Sequence, residues 1–332
     1  MSESVSLAAP LPASASNRVV LNDQVVVRVS GATADAFLHG QFSQDLGEVT
    51  AARAPRAAAC THKGRAYCLT RLVRQGEDVL FALPASLADE VIAQLDKYRM
   101  LYRGTTMAID PQMHIVGLLG TAAAAVIAGE QVAELTTADA ALAIGPHTLI
   151  RTQDTAEGLS RYELWVDSES DDELAQALAT IAEASPADWL ASEIAAGVAH
   201  LTPATKEAYV PQLLNWQHLG GIHFNKGCYT GQEVVARMHF LGQLKRSLYR
   251  LALVGTDTLP TPGQALTANE RKAGEIVTAV RYEDGTVEAL AVVRHDAPAD
   301  ALRLSDSSAR VEIRPLPYEV TERSEAHRDT DT

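Results

Sequence analysis

The sequence predicts an α+β protein built of two similar α+β units followed by a small antiparallel β-barrel. Two observations carry this prediction. A pattern of strand, helix, two strands and helix occurs twice between Val25 and about Ala184. From Ser247 onward the sequence contains only short strand-like runs separated by turns. The length of 332 residues suits two or three domains of ordinary size.

The first unit begins with the strand-like run VVVRVSG from Val25 and the amphipathic helix ATADAFLHGQFSQDL. From Ala57 the pattern changes to two strands, AACTHKGRAYCLTRLV and DVLFALP, which the turn RQGED separates. The helix SLADEVIAQLDKYRM follows, with Ser86 and Asp89 suited to a helix start, and then the strand GTTMAID. Together these runs predict helices packed on one antiparallel sheet.

The second unit repeats this order after Pro111. It contains HIVGLLG, an alanine-rich helix, strands around HTLIRTQ and RYELWVD, and a helix from Asp171 to about Ala184. A further helix begins at Pro186 and stops at Gly197 in the manner of a glycine C-cap. The runs SLYRLALVG, QALTA, EIVTAVRY, VEALAVVRH, LRLSD and VEIRPLP then predict the barrel.

Composition and charge restrict the class of function. The formal net charge is -14 at pH 7 and the isoelectric point is near 5.1, so the average field repels a phosphate backbone or an anionic membrane. The start MSESVSLAAPLPASAS lacks the basic region of a signal peptide, and no apolar run reaches the length of about 18 residues that a membrane helix needs. We therefore expect a cytoplasmic protein without direct nucleic-acid or membrane contacts.

The cysteines and histidines show no metal-binding pattern. Cys60, Cys68 and Cys228 are too few for a paired disulfide framework and have no C-x-x-C spacing. The ten histidines are scattered, whereas zinc and iron-sulfur sites usually take four cysteine or histidine ligands. No metal site is expected, and Cys60 and Cys68, in or beside an apolar strand, are interpreted as core residues.

The segment NKGCYTGQEVVAR, Asn225 to Arg237, is the strongest candidate site. Two glycines flank Cys228 and allow a sharp turn and the close approach of a ligand. Thr230 and Glu233 have the spacing of a capping box, which predicts that Cys228 lies just ahead of the positive end of a helix. That helix end and the nearby Lys226 ammonium both favour a thiolate, so the sequence predicts a reactive thiol; the alternative is a small buried side chain.

A basic island contains this segment. Between Ala208 and Thr256 the only acid is Glu233, against five bases. These bases are Lys226, Arg237, Lys245, Arg246 and Arg250. They suit a small carboxylated ligand better than a nucleic-acid duplex, and the alternative is an ordinary solvated face.

The motif KGCYTGQEVVAR, with HKGRAYCLTRL and IRPLPYE, resembles the signature of the YgfZ-type folate-binding proteins, relatives of the glycine-cleavage aminomethyltransferase. The similarity extends from about Val19 to Glu319. It implies three domains in a ring, of which the first two are α+β, ferredoxin-like or related. These are a discontinuous folate-binding domain (18–48 with 112–245), a second α+β domain (49–111) and the C-terminal barrel (246–320), with disordered tails at 1–17 and 321–332.

The resemblance also implies a ligand, a set of site residues and partners. The ligand is tetrahydrofolate or a one-carbon derivative, with Cys228 and Lys226 as catalytic residues. The implied binding residues are Trp189, Lys226, Gly227, Cys228, Tyr229, Gln232 and Arg237. Trp189 stacks beside the ligand, unless it is a plain core residue, while Lys226 and Arg237 hold the thiolate or the folate carboxylates. The implied partners are iron-sulfur or tRNA-thiolating enzymes, so that the link to tRNA is indirect.

Several positions depart from the family pattern. Gln24 stands where some relatives have a second tryptophan, and the residues after Gly64 (Arg65 to Cys68) contain no acid where the aminomethyltransferases have a pair. Ala195 stands where those enzymes favour a glutamate. Because a missing general acid or base costs about a hundredfold or more in rate, glycine-cleavage aminomethyl transfer is rejected.

Three functions stay open. The first is a folate-binding accessory protein that supports iron-sulfur enzymes and thereby tRNA modification, with Cys228 as its thiol. The second is a folate-dependent one-carbon transferase or demethylase, which needs a carboxylate or a histidine from elsewhere in the chain near the ring; His62, His223 and His239 are the candidates. The third is a non-catalytic scaffold, and its mark would be a buried, inert Cys228.

Overall fold

The structure is a computed structural model that describes residues 9–167, 172–242, 244–256, 258–305, 307 and 309–321. Residues 1–8 and 322–332, which make up most of the predicted disordered tails, lie outside the described residues, as does Asp171, the predicted start of a helix.

Seventeen strands and six α-helices are formed by the described residues. The strands are β1 (Asn17–Val20), β2 (Gln24–Ser30), β3 (Arg56–Cys60), β4 (Ala66–Gln75), β5 (Asp78–Pro84), β6 (Thr106–Ile109), β7 (Met113–Leu119), β8 (Ala141–Ile144), β9 (His147–Thr152), β10 (Arg161–Asp167), β11 (Ala182–Glu183), β12 (Arg246–Val254), β13 (Ala265–Ala268), β14 (Arg271–Arg281), β15 (Val287–Arg294), β16 (Leu302–Leu304) and β17 (Arg310–Arg314). The helices are α1 (Ala34–Gln41), α2 (Ala88–Arg99), α3 (Thr121–Ala128), α4 (Asp172–Ala179), α5 (Pro186–Ala195) and α6 (Gln232–Phe240).

The strands form two open sheets and one closed barrel. One sheet has the order β3-β4-β5-β2-β6 and is antiparallel throughout. The other has the order β11-β1-β7-β10-β9-β8, with a single parallel pair between β1 and β11. In the barrel, pairing of β12 with β17 closes the order β12-β15-β14-β13-β16-β17. The predicted class, two α+β units and a C-terminal antiparallel barrel, is confirmed.

Several boundaries differ from the sequence-based expectation. The strand β2 pairs with β5 and β6 in the five-stranded sheet, although the predicted division grouped it with residues 112–245. The helix α4 ends at Ala179, because β11 follows as an added edge strand, and the strand β8 was not predicted. No side chain caps the start of α2, whose N-cap residue is Leu87, so the predicted capping role of Ser86 is wrong. The division into domains otherwise stays a prediction.

The helix α5 begins and ends as its sequence predicts. Ser185 and Asp188 form a capping box, in which the Asp188 backbone N–H donates to Ser185 Oγ at 3.2 Å and the Ser185 N–H donates to Asp188 at 2.8 Å. Gly197 follows the C-cap at φ +67°, the left-handed region that favours glycine. A Cβ there would also come within 2.6 Å of the Tyr318 hydroxyl, which donates to the Gly197 carbonyl at 2.8 Å. The C-terminal segment therefore packs directly on the end of α5.

Two apolar cores position the candidate site. One core lies between the two sheets and includes Val26, Leu80, Ile115, Trp165 and Trp189. The larger core lies on the other face of the five-stranded sheet, where it takes in the α1 and α2 side chains, the segment after α5 and barrel residues. Because this larger core takes in Val235 of α6 together with residues of the five-stranded sheet, α5 and the barrel, it anchors the helix that follows Cys228.

Candidate functional site

The loop before α6 is fastened to the end of α1 by a buried lysine. The Lys226 ammonium donates to three backbone carbonyl oxygens, at 2.6 Å to His39, 2.7 Å to Phe42 and 2.8 Å to Gln44. These three carbonyls lie at and just after the last turn of α1, where helix carbonyl groups lose their own partners. A lysine ammonium has three donors, so all of them are used inside the protein.

This geometry changes the role of Lys226. Burial lowers the pKa of Lys226 to about 8, while the charge of Asp45 acts in the opposite direction. The ammonium also lies 5.0 Å from the centroid of the Tyr229 ring. Since no donor is left for a thiolate or a folate carboxylate, the structure favours Lys226 as a positioning residue, in contrast to the catalytic and ligand-binding roles expected from the sequence.

Cys228 is exposed, whereas Cys60 and Cys68 are buried. It lies three residues before Gly231, the N-cap residue of α6. Burial raises the pKa of the Cys60 thiol to about 12 and raises that of Cys68 further, so neither is available as a thiolate. The structure thus presents one accessible thiol, at the position that the sequence singled out.

The start of α6 differs from the predicted capping box. Gly231 is the N-cap at φ +84° and no side chain caps the helix, because Thr230 instead turns towards α1, where its N–H donates to the Gly40 carbonyl at 3.1 Å. A Cβ on Gly231 would come within 2.4 Å of the Thr61 carbonyl oxygen. The glycine therefore allows α6 to pack closely against the turn between β3 and β4. The capping role predicted for Glu233 is wrong, because no side chain caps this helix.

The other predicted binding residues of this segment have unequal access to solvent. Tyr229 is buried, and burial raises the pKa of its hydroxyl. Gln232, the first residue of α6, is half-buried, whereas Gly227 and Arg237 are exposed. A Cβ on Gly227 would lie 3.1 Å from the His39 imidazole, so this position also packs tightly on α1.

A small polar cavity lies between the two sheets, and Trp189 lines it. Its volume is about 30 Å³, room for about two water molecules. The lining residues include Gln24, Arg56, Arg71, Glu163, Trp165, Trp189, Glu193 and His200. No residue of the segment 225–237 is among them, so the predicted site residues fall in two separate places.

Buried arginines and glutamates surround this cavity. Arg71 donates from Nε to Glu163 at 3.1 Å, and from its two terminal nitrogens to the Ala54 carbonyl at 2.6 Å and Thr152 Oγ1 at 3.0 Å. Burial acts to raise the pKa of Glu163, but the charges of Arg71 and Arg56 outweigh it and hold this pKa at about 2. Burial lowers the pKa of Arg56 to about 9, and the nearby Arg71 adds to the effect.

Trp189 and Glu193, one turn apart on α5, meet a third arginine. The Arg161 guanidinium lies 4.4 Å from the centroid of the Trp189 ring, and its Nε donates to Ser192 Oγ at 2.8 Å. Glu193 pairs with the His200 imidazole at 2.8 Å. Burial raises the pKa of Glu193, but His200 and Arg161 together hold it below its usual value. Trp189 Nε1 and one terminal nitrogen of Arg161 are buried without a hydrogen-bond partner.

Sequence reasoning missed this charged shell. Its signal is a charged residue inside an otherwise apolar strand, as in Arg71 within LTRLV and Glu163 within RYELWV. Such residues need a partner when buried, and only the fold shows which partner they find. In the part of the chain that the structure describes, no group of three or more histidine, cysteine or acidic residues is arranged to hold a metal ion. Among the described helices, none has both the length and the apolar character needed to cross a membrane.

The arrangement of two sheets and a barrel matches a known enzyme fold. The glycine cleavage system aminomethyltransferase T from Bartonella henselae superposes with a TM-score of 0.66 over 94% of this chain and 90% of that chain, at 16% sequence identity. No protein-family model matches the chain. The protein therefore has the aminomethyltransferase-like fold, and at this identity the likeness concerns the fold alone.

Curated relatives give the family. The tRNA-modifying protein YgfZ of Yersinia enterocolitica is 35% identical over 92% of this chain and 93% of its own length. The protein of the same name from Yersinia pseudotuberculosis is 34% identical over the same shares of both chains. The chain belongs to the YgfZ family.

Proposed function

We propose that this protein is a folate-binding accessory protein for tRNA modification, and that Cys228 is its working thiol. The observation that carries the proposal is the exposed Cys228 on a loop that Lys226 fastens to α1. A non-catalytic scaffold would be marked by a buried Cys228, and the exposed thiol argues against it. The relatives that match nearly the whole chain are named tRNA-modifying proteins, and this name supports a role in tRNA modification.

The cavity beside Trp189 supports folate binding by its chemistry. A pterin has an aromatic face and a row of N–H donors, which suit an indole ring and a carboxylate. Trp189 would stack on the ring, Glu193 would accept from its N–H groups, and the terminal nitrogen of Arg161 that makes no hydrogen bond, 3.6 Å from Glu193, would donate to the pterin oxygen. Tetrahydrofolate supplies a carrier for a one-carbon unit when it is bound.

The size of the cavity sets a condition on this binding. A cavity of about 30 Å³ is far below the several hundred that ligand sites occupy. The ring can enter only if the stack of Arg161 on Trp189 opens. Gln24, at the position where some relatives have a second tryptophan, also lines the cavity, so a polar amide would replace one aromatic face.

The exposed thiol supports a role in sulfur or iron-sulfur chemistry of partner enzymes. In the simplest exchange, the Cys228 thiolate attacks one sulfur of a partner's disulfide. A new bond forms between the two sulfurs, the old one breaks, and the second partner sulfur leaves as a thiolate, so that no further oxidant is needed. Cys60 and Cys68 are buried and do not resolve the mixed disulfide, which leaves this step to a thiol of the partner.

A second candidate function, one-carbon transfer or demethylation, is favoured by the Glu193 and His200 pair beside the cavity. The two side chains are 2.8 Å apart and could move a proton there. None of the three histidines expected to serve this function lines the cavity: His62 is exposed on the β3–β4 turn, His223 lies on the loop before Lys226, and His239 is on α6. His200 therefore replaces them as the candidate.

The proposal predicts that Cys228→Ala abolishes the contribution of the protein to tRNA modification without destabilising it, because the side chain is exposed. Cells that lack the native protein would carry either variant, and modified tRNA nucleosides would be quantified by mass spectrometry. Cys68→Ala is the matched control, since it removes a buried thiol, and it is expected to restore modification to the wild-type level. Full restoration by Cys228→Ala, at equal protein level, would contradict the proposal.

A further inference from the structure

An aromatic and basic surface extends along α6, from the β3–β4 turn beside its first residues to the aromatic rings at its last turn. We call it the α6 face and define it by Lys63, Phe224, Arg237, His239 and Phe240. The rings of Phe224 and His239 stack with centroids 3.7 Å apart and planes 11° apart, and Phe240 meets the His239 ring edge-on at 4.7 Å. Phe240 is 62% exposed, and the next residue, Leu241, is 84% exposed. Phe224 is partly buried and packs on the larger core, so His239 and Phe240 are the two rings of this group that are exposed. Isolated exposed apolar residues are common, but two adjacent exposed rings held in place by a third indicate a binding surface.

Two exposed cations lie along the same helix, Arg237 on α6 and Lys63 on the turn beside its first residues. A Cβ on Gly64 would come within 2.7 Å of Val234, so the turn that carries Lys63 touches α6. Arg237 follows Val234 by three residues and therefore lies on the same side of the helix. Both side chains are exposed, and within the described ranges neither has an ion-pair partner within 4.0 Å, whereas Arg74 and Arg250 are each paired with acids. Glu233, in the first turn, is the only acid of α6.

We infer that the α6 face binds RNA directly, through unpaired bases stacked on Phe240 and His239 and phosphates paired with Arg237 and Lys63. Stacking on aromatic side chains together with a cationic track is the way in which proteins hold single-stranded nucleic acid. The inference rests on the proposed role in tRNA modification and adds a direct contact with RNA to the indirect link that the family resemblance implies. Net charge is an average over the chain, whereas a phosphate within about 10 Å of a surface responds to the charges in that range.

An RNA strand bound along the α6 face would approach the Cys228 thiol. The helix α6 has nine residues and spans about 13 Å, with the loop of Cys228 before its first turn and the aromatic rings at its last. A strand that follows the helix from Phe240 towards Gly231 passes Arg237 and then approaches the thiol. An acidic protein could use the same charges and pack its own side chains on Phe240, so competition between tRNA and an acidic polypeptide separates the two partners.

The test measures binding of fluorescently labelled unmodified tRNA to the full chain by anisotropy at several salt concentrations. We expect Phe240→Ala to weaken binding about tenfold through lost stacking. Arg237→Ala should lower the slope of log affinity against log salt by about 0.7, the value for one phosphate contact on a single strand. The matched controls are Leu101→Ala, which removes an apolar side chain that is 78% exposed at the end of α2, and Lys97→Ala on α2; neither should change binding.

Three outcomes would overturn the inference. They are no binding by the wild-type chain, equal affinities for Phe240→Ala and Leu101→Ala, and competition by polyglutamate as strong as that by unlabelled tRNA at the same charge concentration. The last outcome would assign the surface to acidic proteins. If any of them occurs while tRNA modification still depends on Cys228, only the RNA-binding inference fails and the proposed function stands.

Discussion

Lys226→Met is expected to lower the free energy of unfolding by about 3 kcal/mol or more, because it removes a charged donor from three buried carbonyl oxygens. Methionine keeps the length of the aliphatic chain, so the loss reports the ammonium and not a cavity. The carbonyl oxygens of His39, Phe42 and Gln44 would then need water, which the packed end of α1 admits only by loosening.

Urea unfolding followed by circular dichroism measures this effect. The control is Lys245→Met, the same substitution at an exposed lysine shortly after α6, for which a change within about 0.5 kcal/mol is expected. Equal stabilities of the two variants would show that the Lys226 ammonium does not fasten the loop.

Arg71→Met is expected to destabilise the protein by about 3–5 kcal/mol at pH 7, because it leaves the buried carboxylate of Glu163 without its main partner. In the wild type the pKa of Glu163 is about 2, below that of an unfolded glutamate near 4.5. This contribution to stability is fully present above pH 4.5 and is lost as the pH falls towards 2. In the variant the Arg71 charge no longer offsets the effect of burial, so the pKa of Glu163 rises. The variant's loss of unfolding free energy is therefore expected to be smaller at pH 4 than at pH 7.

The double variant Arg71→Met/Glu163→Gln isolates the cause. Removing the charge together with its partner is expected to recover a large part of the stability lost in Arg71→Met, measured by the same urea titration at both pH values. A deficit that is the same at pH 4 and pH 7, and that Glu163→Gln does not reduce, would show that Arg71 acts only through its bonds to Ala54 and Thr152.

Local signals in the sequence predicted the elements that local interactions determine. Pro186 and Gly197 mark the two ends of α5 in the sequence, and the structure confirms these ends and adds the capping box of Ser185 and Asp188. The barrel was predicted in the same way, because each of its strands has its own apolar alternation and turn. The T-x-x-E spacing failed, because Gly231 begins α6 and the contact with Thr61, remote in sequence, decides the conformation there.

The candidate site was only partly predictable, because its chemistry depends on residues distant in sequence. Cys228 and its two flanking glycines lie in one short segment, so the sequence alone identifies them, and the structure places the thiol at the surface. The partners of Lys226 precede it by 182 to 187 residues, so its carbonyl bonds could not be inferred from spacing. The same holds for Arg71 and Glu163, which are 92 residues apart. The strand β2 pairs with β5 and β6 in the single antiparallel sheet that the runs of the first unit predict, whereas the domain division implied by the family resemblance stays a prediction.

Calorimetric titration of tetrahydrofolate into the wild-type protein, Trp189→Phe and Trp216→Phe tests the folate-binding proposal most directly. Trp216 is also buried but does not line the cavity, so it controls for the loss of a large core side chain. We expect the wild type and Trp216→Phe to bind with similar affinity, and Trp189→Phe to bind about tenfold more weakly, because about 1.4 kcal/mol of stacking is lost. Absence of binding by the wild type, or equal affinities of the two tryptophan variants, would contradict a folate site at this cavity.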